Sequence, residues 1–301
     1  MLNKLNLNHS IIFLIFCLVL VSLDYFRLNT LLYTCLFLVL TIGISHGSLD
    51  NLKGKKLLQL YNINNMAYFY LGYVFLSLFV IIFWLFFPSL LLILFLIIAS
   101  YHFGKEDSEF LCISKGLFFD ILFFLKGSIV ISAPLIFQKS KTLEIFDTIG
   151  MNTELIIFSS DLLVIIFILL SILSSFIIVS SVRNLYALVL VLDLMAILVL
   201  NYFLQPLLAF TLYFCFLHSI RHSISLMYEL DNNLTKSIPI FFKKSLPLTL
   251  LTGFLFVTIF ILLMGEFDVS NSINKVIFIG LAALTLPHIT LEYILEKKAQ
   301  I

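Results

Sequence analysis

Long apolar runs separated by short polar connections follow one another along the whole chain. Each run has about the 20 residues that an α-helix needs to cross the hydrocarbon core of a bilayer. The runs fall at roughly 8–23, 28–46, 66–87, 89–104, 116–137, 155–181, 184–204, 206–227, 245–264 and 275–296. The pattern predicts an all-α fold, a polytopic transmembrane helical bundle of about ten spans, with residues 1–301 forming a single integral membrane domain.

Polar and proline-bearing segments separate the predicted spans. Pro88 and Pro206 indicate tight connections, and segment 232–247, with its prolines and lysines, is predicted to be the longest polar loop. The first run is followed by Asp24 and Arg27 rather than by a small-residue cleavage site. We therefore interpret it as a retained first helix and not as a cleaved signal peptide.

Lysine and arginine are distributed unequally between the two ends of the predicted spans. One end receives Lys4, Lys53, Lys55, Lys56, Lys105, Lys115, Arg183, Lys236, Lys243, Lys244, Lys297 and Lys298. The other end receives Arg27, Lys139, Lys141 and Lys275. Because positive charge accumulates on the cytoplasmic side, both termini are predicted to be cytoplasmic, in a multi-pass protein of the inner (cytoplasmic) membrane.

Composition supports the membrane interpretation and excludes other classes. Hydrophobic residues make up 61% of the 301 and charged residues 12%, against about 25% charged in ordinary soluble domains. A net charge of +1 argues against nucleic acid as a partner. The four cysteines, Cys17, Cys35, Cys112 and Cys215, form no CxxC motif, and three of them lie in apolar spans, so a disulfide framework is not expected.

Five of the six histidines lie on four predicted helices that run in the same direction. They are His46, His102, His218, His222 and His288. All five are expected in the cytoplasmic half of the membrane, whereas His9, near the start of the first span, is interpreted as incidental. Ionisable residues inside a bilayer are costly and usually functional, so this shared depth indicates a site.

His218 and His222 are four residues apart in one predicted helix. On an α-helix, two imidazoles at this spacing stand on one face and can hold one metal ion from one side. The alternative is that they are polar residues that join helices through hydrogen bonds. Arg221, between them in sequence, makes a purely structural role less favoured.

Carboxylates follow three of the histidines at the same spacing. Asp50 follows His46, Glu106 follows His102, and Glu292 follows His288. If the helices continue through these positions, each carboxylate can orient its histidine ring. The alternative is that the acids mark helix ends, because Gly47 and Gly104 can break the first two helices.

Several buried charges are expected to pair. Lys126 and Asp193 lie at similar predicted depths in their helices, so we predict that they pair with each other. For Arg221 we predict a carboxylate partner near the cytoplasmic mouth, with Asp50, Asp107 or Glu229 as candidates.

Neutral imidazoles with open coordination positions suit Fe(II), Cu or Zn. No HExxH motif is present to support zinc hydrolysis, whereas paired helices can also offer axial histidines to haem. The histidines are fewer than those in the histidine boxes of di-iron membrane hydroxylases, which favours a single metal. A transporter, or a haem- or metal-binding assembly factor, remains an alternative class that would use the same histidines.

Four motifs in order resemble one known family. They are Gly43-x-x-His46-Gly47-x-x-Asp50, His102-Phe103-Gly104-x-x-Asp107, His218-Ser219-x-Arg221-His222 and Pro287-His288. The chain is similar in these motifs to the Brp/Blh family of β-carotene 15,15′-dioxygenases, the bacteriorhodopsin-related protein family. Ser45 departs from the family pattern, in which Pro often precedes the first histidine.

The resemblance implies an enzyme that cleaves β-carotene centrally with O₂ to give two molecules of all-trans-retinal. It implies non-haem Fe(2+) held by His46, His102, His218 and His222, with no catalytic residue beyond these metal ligands and no organic cofactor. The role of His288 is left open. The implied partners are β-carotene, O₂ and the lipid bilayer, with a functional link to a retinal-binding rhodopsin.

Overall fold

Helices make up nearly all of the chain that the structure describes. The computed structural model describes residues 2–23, 28–111, 116–153, 160–182 and 184–299, and the side chains of these except 28–30, 46 and 299. The α-helices are α1 Leu2–Ser22, α2 Leu28–Leu38, α3 Asp50–Leu60, α4 Ala67–Phe86, α5 Pro88–Glu106, α6 Leu117–Gly127, α7 Ile129–Phe137, α8 Lys139–Thr148, α9 Asp161–Val182, α10 Leu188–Phe203, α11 Pro206–Leu212, α12 Ile220–Leu230, α13 Leu234–Leu263 and α14 Val269–Ala299. No strand occurs within these ranges.

Ten helical stretches of the described chain are long and apolar enough to cross a membrane. They are Leu2–Ser22, Leu31–Leu60, Ala67–Phe86, Pro88–Leu111, Leu117–Phe137, Asp161–Val182, Leu185–Phe203, Pro206–Leu230, Leu234–Leu263 and Val269–Lys298. The predicted all-α bundle of ten spans is therefore confirmed, and the pattern is that of a multi-pass membrane protein.

The predicted polar loop at 232–247 is wrong, because α13 begins within it. The side chain of Asn233 caps this helix by accepting the backbone N–H of Thr235 at 3.1 Å. Pro239 and Pro247 lie inside the helix, which a spanning helix tolerates when neighbouring groups satisfy the freed carbonyls. The polar composition of the segment reflects exposure at a helix start rather than a loop.

Two π-helical segments, π1 Val39–Gly43 and π2 Tyr213–Ser219, pack against each other in the interior. They approach most closely at Gly43, where a Cβ atom would lie 2.7 Å from Cε1 of Phe214. Segments of this type are rare and often occur at functional sites. The uninterrupted α-helix expected around His218 is thus a π segment followed by α12.

The second predicted span does not end at residue 46. After π1 the chain forms a short 3₁₀ helix, His46–Leu49, and then α3, which continues to Leu60. Gly47 lies inside the 3₁₀ helix and does not end the helical run, which extends to Leu60. The side chain of His46 lies outside the described part of the structure, as does the whole of Cys112; Cys17, Cys35 and Cys215 are buried.

Gly104 does not break its helix, because α5 continues to Glu106. Instead, a Cβ at Gly104 would lie 1.7 Å from the carbonyl oxygen of Phe123, and one at Gly127 would lie 1.9 Å from that of Ser100. Two glycines facing each other let α5 and α6 approach backbone to backbone. This contact fixes the end of α5, which carries His102, Glu106 and Asp107.

Candidate metal centre

Four histidines from different parts of the chain converge in the interior. His102 comes from α5, His218 from π2, His222 from α12 and His288 from α14, and each is at most 7% exposed. The ring centroid of His102 lies 5.2 Å from that of His218 and 5.3 Å from that of His288, and the His222 and His288 centroids are 5.8 Å apart. The structure thus brings three of the four predicted ligands close together and adds His288. Within the described part of the chain, the groups whose ligand atoms lie within 4.8 Å of one another include His102 with His288 and Glu292, and His222 with Glu106 and Glu292, but not His218.

Three of these imidazoles are held by carboxylates from other helices. His218 Nδ1 donates to Asp107 Oδ1 at 3.0 Å, and His222 Nδ1 donates to Glu106. His288 Nδ1 donates to Asp50 at 2.9 Å from each carboxylate oxygen. Among the described residues, no carboxylate is hydrogen-bonded to His102.

Of the three expected pairings of an acid with the histidine four residues before it, the one between Glu106 and His102 is wrong, and the one between Asp50 and His46 stays a prediction. Glu106 holds His222 across the bundle rather than His102. Asp50 holds His288, and its predicted contact with His46 lies outside the described side chains. Glu292 does approach the histidine that precedes it by four, with Oε1 3.6 Å from His288 Nε2.

The end of α5 supplies two adjacent carboxylates to two histidines on neighbouring turns. Glu106 and Asp107 are consecutive in sequence, so their side chains leave the helix in different directions. Asp107 reaches His218 in π2, and Glu106 reaches His222 one turn further along. One chain segment therefore orients both rings.

Two tyrosines support these carboxylates from behind. Tyr213 donates to Asp107 Oδ2 at 2.7 Å, and Tyr73 donates to Asp50 Oδ2 at 2.9 Å. Both oxygens of Asp107 are thus hydrogen-bonded, one to a histidine and one to a tyrosine. Sequence analysis missed both tyrosines, because nothing in their spacing from the histidines indicates the contact.

Arg221 is fully buried beside the histidines but does not face them. Its guanidinium donates to both carboxylate oxygens of Asp193, at 2.5 and 3.0 Å, and to Ser10 Oγ at 2.7 Å. It also donates to the backbone carbonyl of Asp107 at 3.2 Å. The bond network joins α1, α10 and α12 to the end of α5.

Both predictions about buried charge pairs are therefore wrong. Arg221 pairs with Asp193, not with the carboxylate of Asp50, Asp107 or Glu229. Lys126, the predicted partner of Asp193, directs its Nζ to the carbonyl of Gly104 at 3.4 Å. Similar depth does not fix which way a side chain points around its helix, and the guanidinium takes the carboxylate because its planar fork matches both oxygens.

His9, expected to be incidental, connects the first helix to the site. Its Nε2 donates to the carbonyl oxygen of Phe216 at 2.7 Å. Phe216 lies in π2, two residues before His218, in a segment whose backbone hydrogen bonds follow the π pattern. His9 thus ties α1 to the segment that carries His218.

Aromatic rings form a wall on the side of His218 that faces the apolar interior. The Phe103 ring centroid lies 4.8 Å from that of His218, and the Phe214 ring stacks on His218 at 5.8 Å. Phe210 continues the stack, 5.5 Å from Phe214 and within 7° of parallel. The surroundings of His218 on this side are aromatic and apolar.

The donor set fits a transition-metal ion such as iron. Histidines that bind metals usually donate one ring N–H to a carboxylate, which fixes the tautomer and leaves the other nitrogen for the metal. His218, His222 and His288 all show this arrangement, and the Nε2 atoms of the three are buried. Neutral imidazoles of this kind suit Fe(II).

Comparison with known proteins agrees with this geometry. A family profile described as "Beta-carotene 15,15'-dioxygenase" matches residues 37–296, which span the whole histidine cluster. A curated protein named "Beta-carotene 15,15'-dioxygenase", from Uncultured marine bacterium 66A03, is 28% identical over 260 residues. That alignment covers 86% of this chain and 92% of the relative. No solved structure matches.

The match runs from the end of α2 into α14 and includes every residue that contributes a histidine or a carboxylate to the cluster. The chain belongs to the beta-carotene 15,15'-dioxygenase family.

Proposed function

We propose that this protein is a membrane-embedded non-haem iron oxygenase that cleaves β-carotene at its central 15,15′ double bond. One molecule of O₂ is consumed, the double bond breaks, and each carbon gains one oxygen to give two molecules of all-trans-retinal. The family membership and the named relative support this activity.

One observation carries the proposal: a buried cluster of four histidines, three of whose rings are held by carboxylates from other parts of the chain. His102, His218 and His222 lie in this cluster, and we propose them as iron ligands together with His46. His46 begins the 3₁₀ helix that leads into Asp50, itself a member of the cluster. A bound Fe(II) would supply the redox chemistry that allows O₂ to react with a carbon–carbon double bond.

The protein's own residues prepare this chemistry by fixing protons. Asp107, Glu106 and Asp50 keep a proton on Nδ1 of their partner histidines, so that each Nε2 presents its lone pair. Tyr213 and Tyr73 hold the carboxylates in turn. The rings are thus positioned before any ligand arrives, which reduces the reorganisation needed on binding.

The aromatic wall suits an extended polyene. Phe214 stacks on His218, Phe210 stacks on Phe214, and Phe103 packs against His218 at a steep angle. β-Carotene is wholly apolar and lives in the bilayer, whose hydrocarbon core is roughly 30 Å thick. A substrate of this kind can reach an intramembrane site laterally, and an aromatic wall that holds it would limit where oxygen adds.

The direct test is expression in a bacterium that makes β-carotene. We expect orange cells to turn pale while retinal accumulates, and we expect the His218→Ala variant to leave them orange at an equal amount of inserted protein. Unchanged β-carotene with wild-type protein present in the membrane would contradict the activity and favour a transporter or an assembly factor.

We further propose that the protein lies in the inner (cytoplasmic) membrane with both termini cytoplasmic. The support is the excess of lysine and arginine at one end of the spans. Reporter fusions at Lys56, Ser140 and Lys298 are expected to report inside, outside and inside. A periplasmic report at Lys298 would overturn the orientation and the cytoplasmic depth of the histidines.

A further inference from the structure

Glu292, on α14 one turn after His288, lies against the histidine cluster but is not needed to orient a ring. Its carboxylate belongs to a group with His102 and His288 in which one ligand atom from each residue lies within 4.8 Å of the others. We propose that Glu292 is itself a metal ligand, which would add one carboxylate to the imidazoles. This inference rests on the proposed iron site.

The distance between Glu292 Oε1 and His288 Nε2 carries the proposal. At 3.6 Å it is too long for a hydrogen bond. Two ligands that each lie about 2.1 Å from one ion are separated by roughly 3.0–3.4 Å. The pair is therefore spaced close to what a shared ion requires, and Asp50 already occupies the other nitrogen of His288.

A second group of ligand atoms, from Glu106, His222 and Glu292, also lies within 4.8 Å. Here Glu106 is already the acceptor for Nδ1 of His222, so that contact is explained without a metal. Glu292 is the member common to both groups. Its carboxylate is therefore within reach of both His288 and His222.

Charge in the interior favours the same conclusion. Asp50, Glu106, Asp107 and Glu292 are four carboxylates grouped around the imidazoles, whereas Arg221 is already neutralised by Asp193. Lys53 forms an ion pair with Glu292. A divalent cation at this place would add positive charge where buried carboxylates gather.

The alternative is that Glu292 serves only as the counter-ion of Lys53. The chain offers a matched control, because Glu296 lies one further turn along α14 and pairs with Lys105 at 2.6 Å. Neither Glu296 nor Lys105 belongs to the groups of metal-ligating atoms described for the cluster. Glu292→Gln and Glu296→Gln thus make the same chemical change inside and outside the proposed ligand set.

The experiment is a Co(II) titration of purified, metal-free full-length protein in detergent. Binding is monitored by the visible ligand-field spectrum of the bound Co(II). Glu292→Gln is expected to weaken Co(II) binding about 100-fold or more and to alter the spectrum, since even outer partners of metal ligands are worth 10–100-fold. Glu296→Gln and Lys53→Gln are expected to bind within about threefold of wild type. Glu292→Asp, which keeps a carboxylate, is expected to recover part of the affinity and provides a folded comparison if the Gln variant is unstable.

An unchanged spectrum and affinity in folded Glu292→Gln would overturn the proposal, as would equal losses in Glu292→Gln and Lys53→Gln. Either result would leave the proposal that the protein cleaves β-carotene standing. Wild-type protein that binds no metal but still cleaves β-carotene would instead refute the iron site on which the inference rests.

Discussion

The span Pro206–Leu230 and the next span along the chain, Leu234–Leu263, differ sharply in burial. In the first, 78% of the most apolar 18-residue stretch is buried, and in the second 11%. The buried span carries His218, Arg221 and His222, whereas the outer span exposes large apolar side chains such as Leu250 and Phe254. The less apolar of the two spans is the one in the centre.

In a soluble protein the more apolar helix would be the buried one. The reverse arrangement here follows from the lipid that surrounds the bundle. Lipid imposes no penalty on an exposed leucine, but it penalises every polar group that faces it. The polar side chains of a spanning bundle are therefore sorted to the interior, where they can hydrogen-bond to one another. In this protein the sorting assembles the histidine cluster.

The largest expected difference between the two spans concerns the histidines. His218→Ala is expected to abolish retinal formation and to lower bound iron, because it removes a proposed ligand that Asp107 positions. Leu250→Ala, at a side chain that is 63% exposed, is expected to change neither. Retinal by chromatography and iron per chain are measured on equal amounts of inserted protein; a normal cleavage rate in His218→Ala would contradict the assignment.

The second largest effect is expected from the loss of a buried charge in the inner span. Arg221→Met is expected to destabilise the protein by about 3–5 kcal/mol, because it leaves Asp193 buried without its cation. Thermal unfolding in detergent measures the loss. The double variant Arg221→Met, Asp193→Leu is expected to recover much of it.

The exposed pair of Lys56 and Glu229, 3.8 Å apart, is the control for this comparison. Lys56→Met is expected to cost no more than about 1 kcal/mol. Additive losses for Arg221 and Asp193 in the double variant would show that the two residues do not act as a pair.

Backbone packing distinguishes interior from exterior at two glycines. Gly104→Ala is expected to destabilise by about 3 kcal/mol, because the added methyl would overlap the carbonyl of Phe123. Gly72→Ala, on α4 with nothing within 4 Å of the added atom, is expected to be neutral or slightly stabilising. Unfolding of the two variants side by side is the measurement, and equal stability would disprove the close contact of α5 and α6.

The smallest effect is expected from a carboxylate behind the proposed ligands. Asp107→Asn keeps the shape but weakens the acceptor for His218 Nδ1, so metal affinity is expected to fall by about 10–100-fold. Asp120→Asn is the matched control. The carboxylate of Asp120 accepts a hydrogen bond from the Tyr101 hydroxyl at 3.0 Å and is not hydrogen-bonded to any of the four histidines. If both variants bind metal equally well, Asp107 does not tune the site.

The sequence predicts the spans well because lipid constrains every turn of a spanning helix in the same way. The ten spans follow from hydropathy, and the closeness of His102, His218, His222 and His288 agrees with their expected places near the same end of helices that run in one direction. The helical start of α13 at Leu234 was missed because lysines and prolines near a membrane surface resemble a loop.

Contacts between helices could not be predicted in the same way. Spacing along one helix indicated Glu106 as a partner of His102, but in the folded bundle its carboxylate contacts His222 on another helix. Likewise, similar depth indicated Lys126 as the partner of Asp193, whereas the side chain that reaches Asp193 in the structure is that of Arg221. Depth is encoded locally, while the direction of a side chain around its helix depends on the packing of the whole bundle.

Iron titration of metal-stripped protein tests the central claim most directly. Purified protein in detergent is freed of metal, supplied with β-carotene and O₂, and titrated with Fe(II) while retinal and bound iron are measured together. We expect no retinal without iron and a rate that rises in proportion to bound iron and levels off at one ion per chain. Full cleavage by protein that holds no iron would contradict the account.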